Sequence, residues 1–439
     1  MKIAHIGNMA QNAYLNARFQ RAYGIEADSF DGGAILWQSP AWEDAPDIHP
    51  GKLSDRIFIP DPTFCLTDYT TWSRPPFAKI LGYNHNFPAW YDTQHEFELH
   101  WHEKFRQQEK VLNYSVPTPR LQEHETTTMA LYLKQWQAIQ VLTHIYDMIV
   151  LYGFHVTNGI TIPMHHPYLT FEHGTAHNIV APVMERELFH FGHKYADMNI
   201  VTNTNMIPIF QEHQFPYTFM PHPVDTEKFC YQAPSQDNTF TIFVPARHVQ
   251  PSHIMPGKAN RTAIAGLHQF VQNHKHERIQ IIMITWGLNH DIQTSKKLCQ
   301  QLELDEYIHW WPCPLPKMSL PTVYKTADVV LDQFSHGAFG TTTIEALASG
   351  RPVITYINPA QVLLGYEKIP PVLNAQTPQE IAQWLEYVYT YPGRHGDEAR
   401  TWIDRYHSWK HVTEKHIALY TTVLKGASHV YPRRPGRDA

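Results

Sequence analysis

The sequence is poor in several features, and each shortage excludes something. Its 4 cysteines (Cys65, Cys230, Cys299 and Cys313) stand far apart, with neither a Cys-x-x-Cys pair nor disulfide-dense spacing. Reduced thiols in a cytoplasmic setting are the expectation. No apolar run reaches about eighteen residues, and the apolar start Lys2–Ile6 breaks at Gly7-Asn8, too short for a signal peptide or a spanning helix. A soluble protein is expected, with membrane contact at most peripheral. Neither sign of charge dominates: the formal net charge is −6, which leaves no overall electrostatic footprint for nucleic acid, so no such partner is expected. Histidines number 30, yet His100-Trp101-His102 and His165-His166 lack both a His-Glu-x-x-His frame and neighbouring cysteines. No metal site is expected from them. An Asp-x-Asp pair is also missing throughout.

What is present fits a large folded protein. A chain of 439 residues with 43% hydrophobic and 17% charged residues suits two domains of roughly 200 residues each. Lys2–Ile6 reads as a buried strand, Gly7-Asn8 as a turn, and 12–23 as a helix by apolar spacing. Further strands are read at 146–152, 168–172, 196–202 and 217–224, with helices at 129–144 and 183–195. After polar residues 232–238, strands at 241–245, 279–285, 308–310, 329–331 and 353–356 alternate with helices at 261–274, 294–302, 320–326, 342–349 and 378–389. Strand–helix alternation without hairpin signals predicts parallel sheets, so the fold class is α/β with two doubly wound, Rossmann-like domains. Their boundaries fall at 1–230, with an irregular aromatic-rich region at about 32–125, and at 239–405. A helix over 406–425 is expected to pack back on the first domain, followed by a frayed tail, 426–439. Ligands of such sheets bind beyond the carboxyl ends of the strands, here a central cleft.

The densest motif runs from Ala327 to Ile354. An apolar strand ends in a loop containing Gly337, Phe339 and Gly340, and a helix starts at Thr341-Thr342. The free N–H groups and dipole at such a helix start favour a diphosphate, and Glu345 lies one turn in, where its carboxylate could hold a ribose. This run resembles the nucleotide-sugar signature of glycosyltransferase family 4, the retaining group 1 transferases of GT-B fold. The usual form is Glu-Gly-Phe-Gly, a spacer, then Glu-Ala before Gly-x-Pro-Val. Glu345 matches the second acid, which binds ribose in the family. Gly337 falls where the first acid recognises donor-sugar hydroxyls.

The resemblance implies further roles. Arg247, closing the strand 241–245, and Lys258 match the family's cations on the donor diphosphate; Arg261 rivals Lys258. Trp311-Pro312-Cys313-Pro314 stands where the base is held, with Pro312 and Cys313 as contacts. Gly7 and Asn8 are similar to the loop that approaches the donor phosphate. His173, after the strand 168–172, resembles the histidine facing the reacting sugar, with His155 a second candidate and Glu172 pointing away. Pro221-His222-Pro223-Val224-Asp225 is similar to the family's hinge, His222 replacing an Asn. The implied activity is retaining, metal-independent transfer of a sugar from a UDP- or GDP-linked donor, with no cofactor, to a glycan, lipid or small-molecule acceptor. His173, Arg247 and Lys258 are the catalytic candidates, and polysaccharide biosynthesis is the setting by association. The alternatives are a non-catalytic GT-B module that binds a nucleotide sugar, or another GT-B enzyme such as a sugar-nucleotide epimerase.

Overall fold

The computed structural model describes residues 1–31, 39–46, 71–81, 138–163, 165–174, 183–231, 233, 238–250, 257–312, 315–394 and 396–430. Most of the irregular region at 32–125, most of the linker 232–238, Cys313 and the end of the tail lie outside them.

The first lobe opens with β1 (Lys2–Ile6), α1 (Asn12–Ala22), β2 (Glu26–Asp31), α2 (Pro40–Asp44) and β3 (Ala78–Ile80). It continues through β4 (Met148–Tyr152), β5 (Tyr168–Glu172), α3 (Val183–Lys194), β6 (Met198–Val201), α4 (Ile207–Glu212) and β7 (Tyr217–Phe219). Its strands form one sheet in the order β3-β2-β1-β4-β5-β6-β7, every pair parallel. The period-2 alternation splits the buried run of β4 between two cores. Ile149 and Leu151 pack with Ala4 and Ile6 on one face, Met148, Val150 and Tyr152 with Ile3 on the other.

The second lobe comprises β8 (Phe240–Val244), α5 (Asn260–Asn273), β9 (Ile279–Thr285), α6 (Asn289–Gln301), β10 (Ile308–Pro312), α7 (Leu320–Thr326) and β11 (Val329–Leu331). Then come α8 (Thr341–Ala348), β12 (Val353–Thr355), α9 (Pro359–Val362), β13 (Leu373–Asn374), α10 (Pro378–Thr390) and α11 (Gly396–Tyr406). The sheet order is β10-β9-β8-β11-β12-β13, again wholly parallel. Two doubly wound sheets are therefore present, as the alternation of elements predicts.

The last helix, α12 (Trp409–Val430), returns to the first lobe. Tyr420 joins the core beneath Ile3, and Trp409 stacks on Phe19 at 5.1 Å between ring centres. The chain crosses between lobes twice at one place. Val224 donates its N–H to His407 O at 2.8 Å and accepts from Trp409 N at 3.1 Å. Helix α2 makes another link: Ala41, Trp42 and Ala45 sit in the core of the second lobe. Among the described residues no helix is long and apolar enough to cross a membrane.

Candidate functional site

Where the two lobes meet, a cavity of about 270 Å³ is walled by Ala10, Gln11 and Trp42 from the first lobe and by loops of the second. Its first-lobe wall depends on unusual backbone. Gly7, Ala10 and Gln11 have φ of 91°, 51° and 63°, in the left-handed region. Gly7 tolerates this because it lacks a Cβ, which would stand 2.4 Å from the His155 ring. Asn8 Oδ1 accepts from Tyr14 N at 2.9 Å, and Gln11 Nε2 donates to Ser39 O at 2.8 Å, which ties the loop to the start of α2.

The second-lobe wall carries three cations, of which Lys317 is paired with Glu345 and the other two are not ion-paired among the described residues. Arg247 follows β8 and Lys258 precedes α5. Asn260 holds their loop together: its Oδ1 accepts from Val249 N at 3.1 Å and its Nδ2 donates to Arg247 O at 3.3 Å. Both cations line the cavity, and neither has an ion-pair partner among the described residues. Burial pushes both below their usual values, only partly opposed by Asp291 for Arg247 and by Asp332 for Lys258. Two desolvated cations side by side gain most from a polyanionic ligand.

Opposite them, α8 begins at Gly340, which supplies no side-chain cap. Ile344 N–H bonds back to Gly340 O at 3.3 Å, so the amides before it are the orphan donors of the first turn. Gly340, Thr341 and Thr342 line the cavity, and this amide end opens on it. The preceding loop is tied internally. Thr343 Oγ1 donates to Asp332 Oδ2 at 2.8 Å, and Gln333 Oε1 accepts from His336 N at 3.0 Å. Gly337 has φ 68°, and a Cβ there would stand 3.1 Å from Asn358 Cβ, so an acid at this position would be strained.

Glu345 is 5% exposed and lies on the cavity wall one turn into α8. Lys317 Nζ donates to its Oε1 at 2.5 Å and Tyr324 O–H to its Oε2 at 3.4 Å. Burial pushes the Glu345 carboxyl up, with Lys317 opposing. Burial acts to lower Lys317, but Glu345 and Glu43 together hold it above its usual value.

The structure thus gathers Arg247, Lys258, Gly340, Thr341, Thr342 and Glu345 around one cavity. It does not bring every sequence-predicted residue there. Phe339 packs against Tyr366 and Trp402, with ring centres 5.6 and 5.8 Å away, as a core aromatic. Its loop turns it toward the second lobe's own core, which the sequence pattern alone does not reveal. Gly7, Asn8 and Gly337 shape the loops without lining the cavity, Pro312 is the last residue of β10, and Arg261 is exposed on α5. His173 follows β5, its Nε2 buried without a hydrogen-bond partner among the described residues, its ring centre 6.4 Å from that of His222. Burial lowers its pKa, opposed by Glu172. It lines neither this cavity nor the smaller one beside His222 and Ile344. Glu172 turns to the other face and accepts from Gly174 N at 2.6 Å. Ala10, Gln11, Trp42, Trp286 and Lys317 line the cavity without any motif to announce them, and Asp332, inside the Ala327–Ile354 run, lines it without having been singled out.

No family model and no curated protein sequence matches the chain. Solved structures do. Sucrose-phosphate synthase from Thermosynechococcus elongatus superposes with a TM-score of 0.63 at 15% identity, covering 97% of this chain and 100% of that one. HepE from Anabaena, in complex with UDP and glucose, gives 0.60 at 12%, covering 96% and 100%. A glycosyltransferase from Rickettsia africae gives 0.57 at 13%, covering 97% and 98%. The chain has the fold of these proteins, GT-B, with two parallel-sheet α/β lobes around a cleft.

Proposed function

We propose that the protein is a glycosyltransferase that moves a sugar from a UDP- or GDP-linked donor to an acceptor with retention at the anomeric carbon, without a metal ion. One observation carries the reading: two half-buried cations, Arg247 and Lys258, without an ion-pair partner among the described residues, share a cavity with the open amide end of α8. The fold likeness supports it, since HepE was solved with UDP and glucose. In this reading the diphosphate lies between the cations and the helix, and the ribose reaches Glu345. The bond from anomeric carbon to diphosphate oxygen breaks, and its electron pair leaves with the diphosphate. The acceptor oxygen bonds to the same face, and its proton passes to the leaving diphosphate. Arg247, Lys258 and the α8 amides stabilise the charge that develops there, and the lobes exclude water by closing. His173 is assigned to the transferring sugar on the strength of its unpartnered Nε2. The acceptor, a glycan, lipid or small molecule, enters from the first lobe. The protein works in the cytoplasm, in polysaccharide assembly, with peripheral membrane contact where the acceptor is a lipid.

Incubation with UDP- and GDP-sugars, reading released nucleotide, tests this. Turnover that rises with acceptor and survives EDTA, with product of unchanged anomeric configuration, is expected. A non-catalytic nucleotide-sugar module has one observation in its favour: Gly337 leaves no acid where the resembling motif places one. Tight binding without turnover would establish that reading instead.

A further inference from the structure

Glu345 meets the cavity through a carboxylate that already has company. Lys317, in the loop before α7, approaches its Oε1, and Tyr324 of α7 its Oε2. On the far side of Lys317 stands Glu43 of the first-lobe helix α2, 2% exposed, with Lys228 Nζ on its Oε1 at 2.7 Å. Burial works against the Glu43 charge, yet Lys228 and Lys317 together hold that carboxyl below its usual range. The backbone joins in: Lys317 N–H donates to Trp42 O at 3.1 Å. One lysine therefore stands between carboxylates of both lobes, its main chain pinned to the α2 helix that also contributes Trp42 to the cavity wall.

The chemistry of Glu345 makes this placement matter. A carboxylate that is to hold a ribose diol must offer both oxygens as acceptors, which requires the ionised form. Burial alone favours the protonated form. The groups that face Glu345 are Lys317, Tyr324, Glu43 and Lys228, with Asp332 beyond Tyr324. Tyr324 donates a hydrogen bond, and Glu43 opposes the charge. Lys228 is spent on Glu43. Among the described residues, Lys317 alone supplies a countercharge in contact.

We infer that Lys317 is a positioning residue: it keeps Glu345 an acceptor for the vicinal diol of a ribonucleoside diphosphate and fixes that acceptor to helix α2 of the first lobe. This rests on the donor-site reading above. The prediction concerns discrimination between a ribonucleotide and one lacking the diol. UDP and GDP are titrated calorimetrically against their 2′,3′-dideoxy forms, from about pH 6 to about pH 9. The wild-type protein should prefer the ribo form about tenfold or more, with little dependence on pH. In Lys317→Met the preference should collapse at the acid end and return as pH rises and Glu345 loses its proton. Lys317→Arg should retain it, and Glu345→Gln should lack it at every pH.

Lys317→Met strands a buried carboxylate, so Lys317→Gln provides a second variant that keeps a donor to Glu345 while removing the charge. It should show the same pH-dependent loss. A preference in the folded Met or Gln variant that equals the wild type across the range overturns the inference and leaves the donor site standing. Absence of binding to every probe by the wild-type protein overturns both.

Discussion

The cations of the first sheet and those of the cavity differ in their company. Arg74 meets Asp31, 2% exposed, at 2.5 Å, and Lys79 meets Asp28 at 2.6 Å, so two of the three acids of β2 are answered from the adjoining segment. Arg247 and Lys258 are half-buried, and no carboxylate among the described residues comes within ion-pair distance of them, although Asp291 and Asp332 act on them from farther off. Paired cations hold β2 and β3 in the sheet. Burial works against the charge of Arg247 and Lys258, a cost that the proposed diphosphate ligand would offset.

That contrast can be broken experimentally. Arg247→Ala should lower kcat/KM for donor turnover about 100-fold, or about 2.7 kcal/mol of transition-state stabilisation. Its melting temperature should stay level or rise, because an uncompensated buried charge has gone. Full activity would remove Arg247 from the site. Arg74→Met should do the reverse. It removes the Arg74 charge from beside buried Asp31 and costs about 2 kcal/mol of stability in urea melts, while turnover per folded molecule is unchanged. A loss of turnover larger than the loss of folded protein would erase the distinction between the two groups.

An effect that is smallest per residue separates charge held in the fold from charge kept out. His5 and His407 are lowered by burial to about 4, and His416 to about 3. Each ring folds neutral, whereas in the unfolded chain it takes a proton near pH 6.5. Their stabilisation is complete above that value and drains away as pH falls toward the folded values, by about 1 kcal/mol per ring at about pH 5.5. Unfolding free energies that stay flat from about pH 7.5 to about pH 5.5 would contradict the buried, neutral assignment.

The sequence disclosed the parts of the fold that announce themselves by periodicity. The apolar runs at 146–152 and 279–285 and the helix pattern at 378–389 appear as β4, two residues shorter at its start, β9 and α10, and α8 starts within a residue of the expected place. It was silent on β2, whose Asp28 and Asp31 look unlike a buried strand until Lys79 and Arg74 are seen beside them. The helix expected from residue 294 begins at Asn289, and β7 stops at Phe219, short of the hinge. In the site, residues within the β11–α8 run were legible because loop, helix start and acid are contiguous. Lys317 and Trp42 were not, since only tertiary folding brings them to Glu345. Phe339 misled because a phenylalanine between small residues carries no sign of which side of its loop it will occupy.

The return of α12 has a consequence for synthesis. The ribosome makes the first sheet early, but Tyr420 and Leu424, which cover one of its faces, emerge only after the entire second lobe. A nascent chain must therefore carry an uncovered apolar face through most of translation. A premature stop just past residue 405 would leave that face open permanently, sending an otherwise intact pair of sheets toward aggregation or proteolysis.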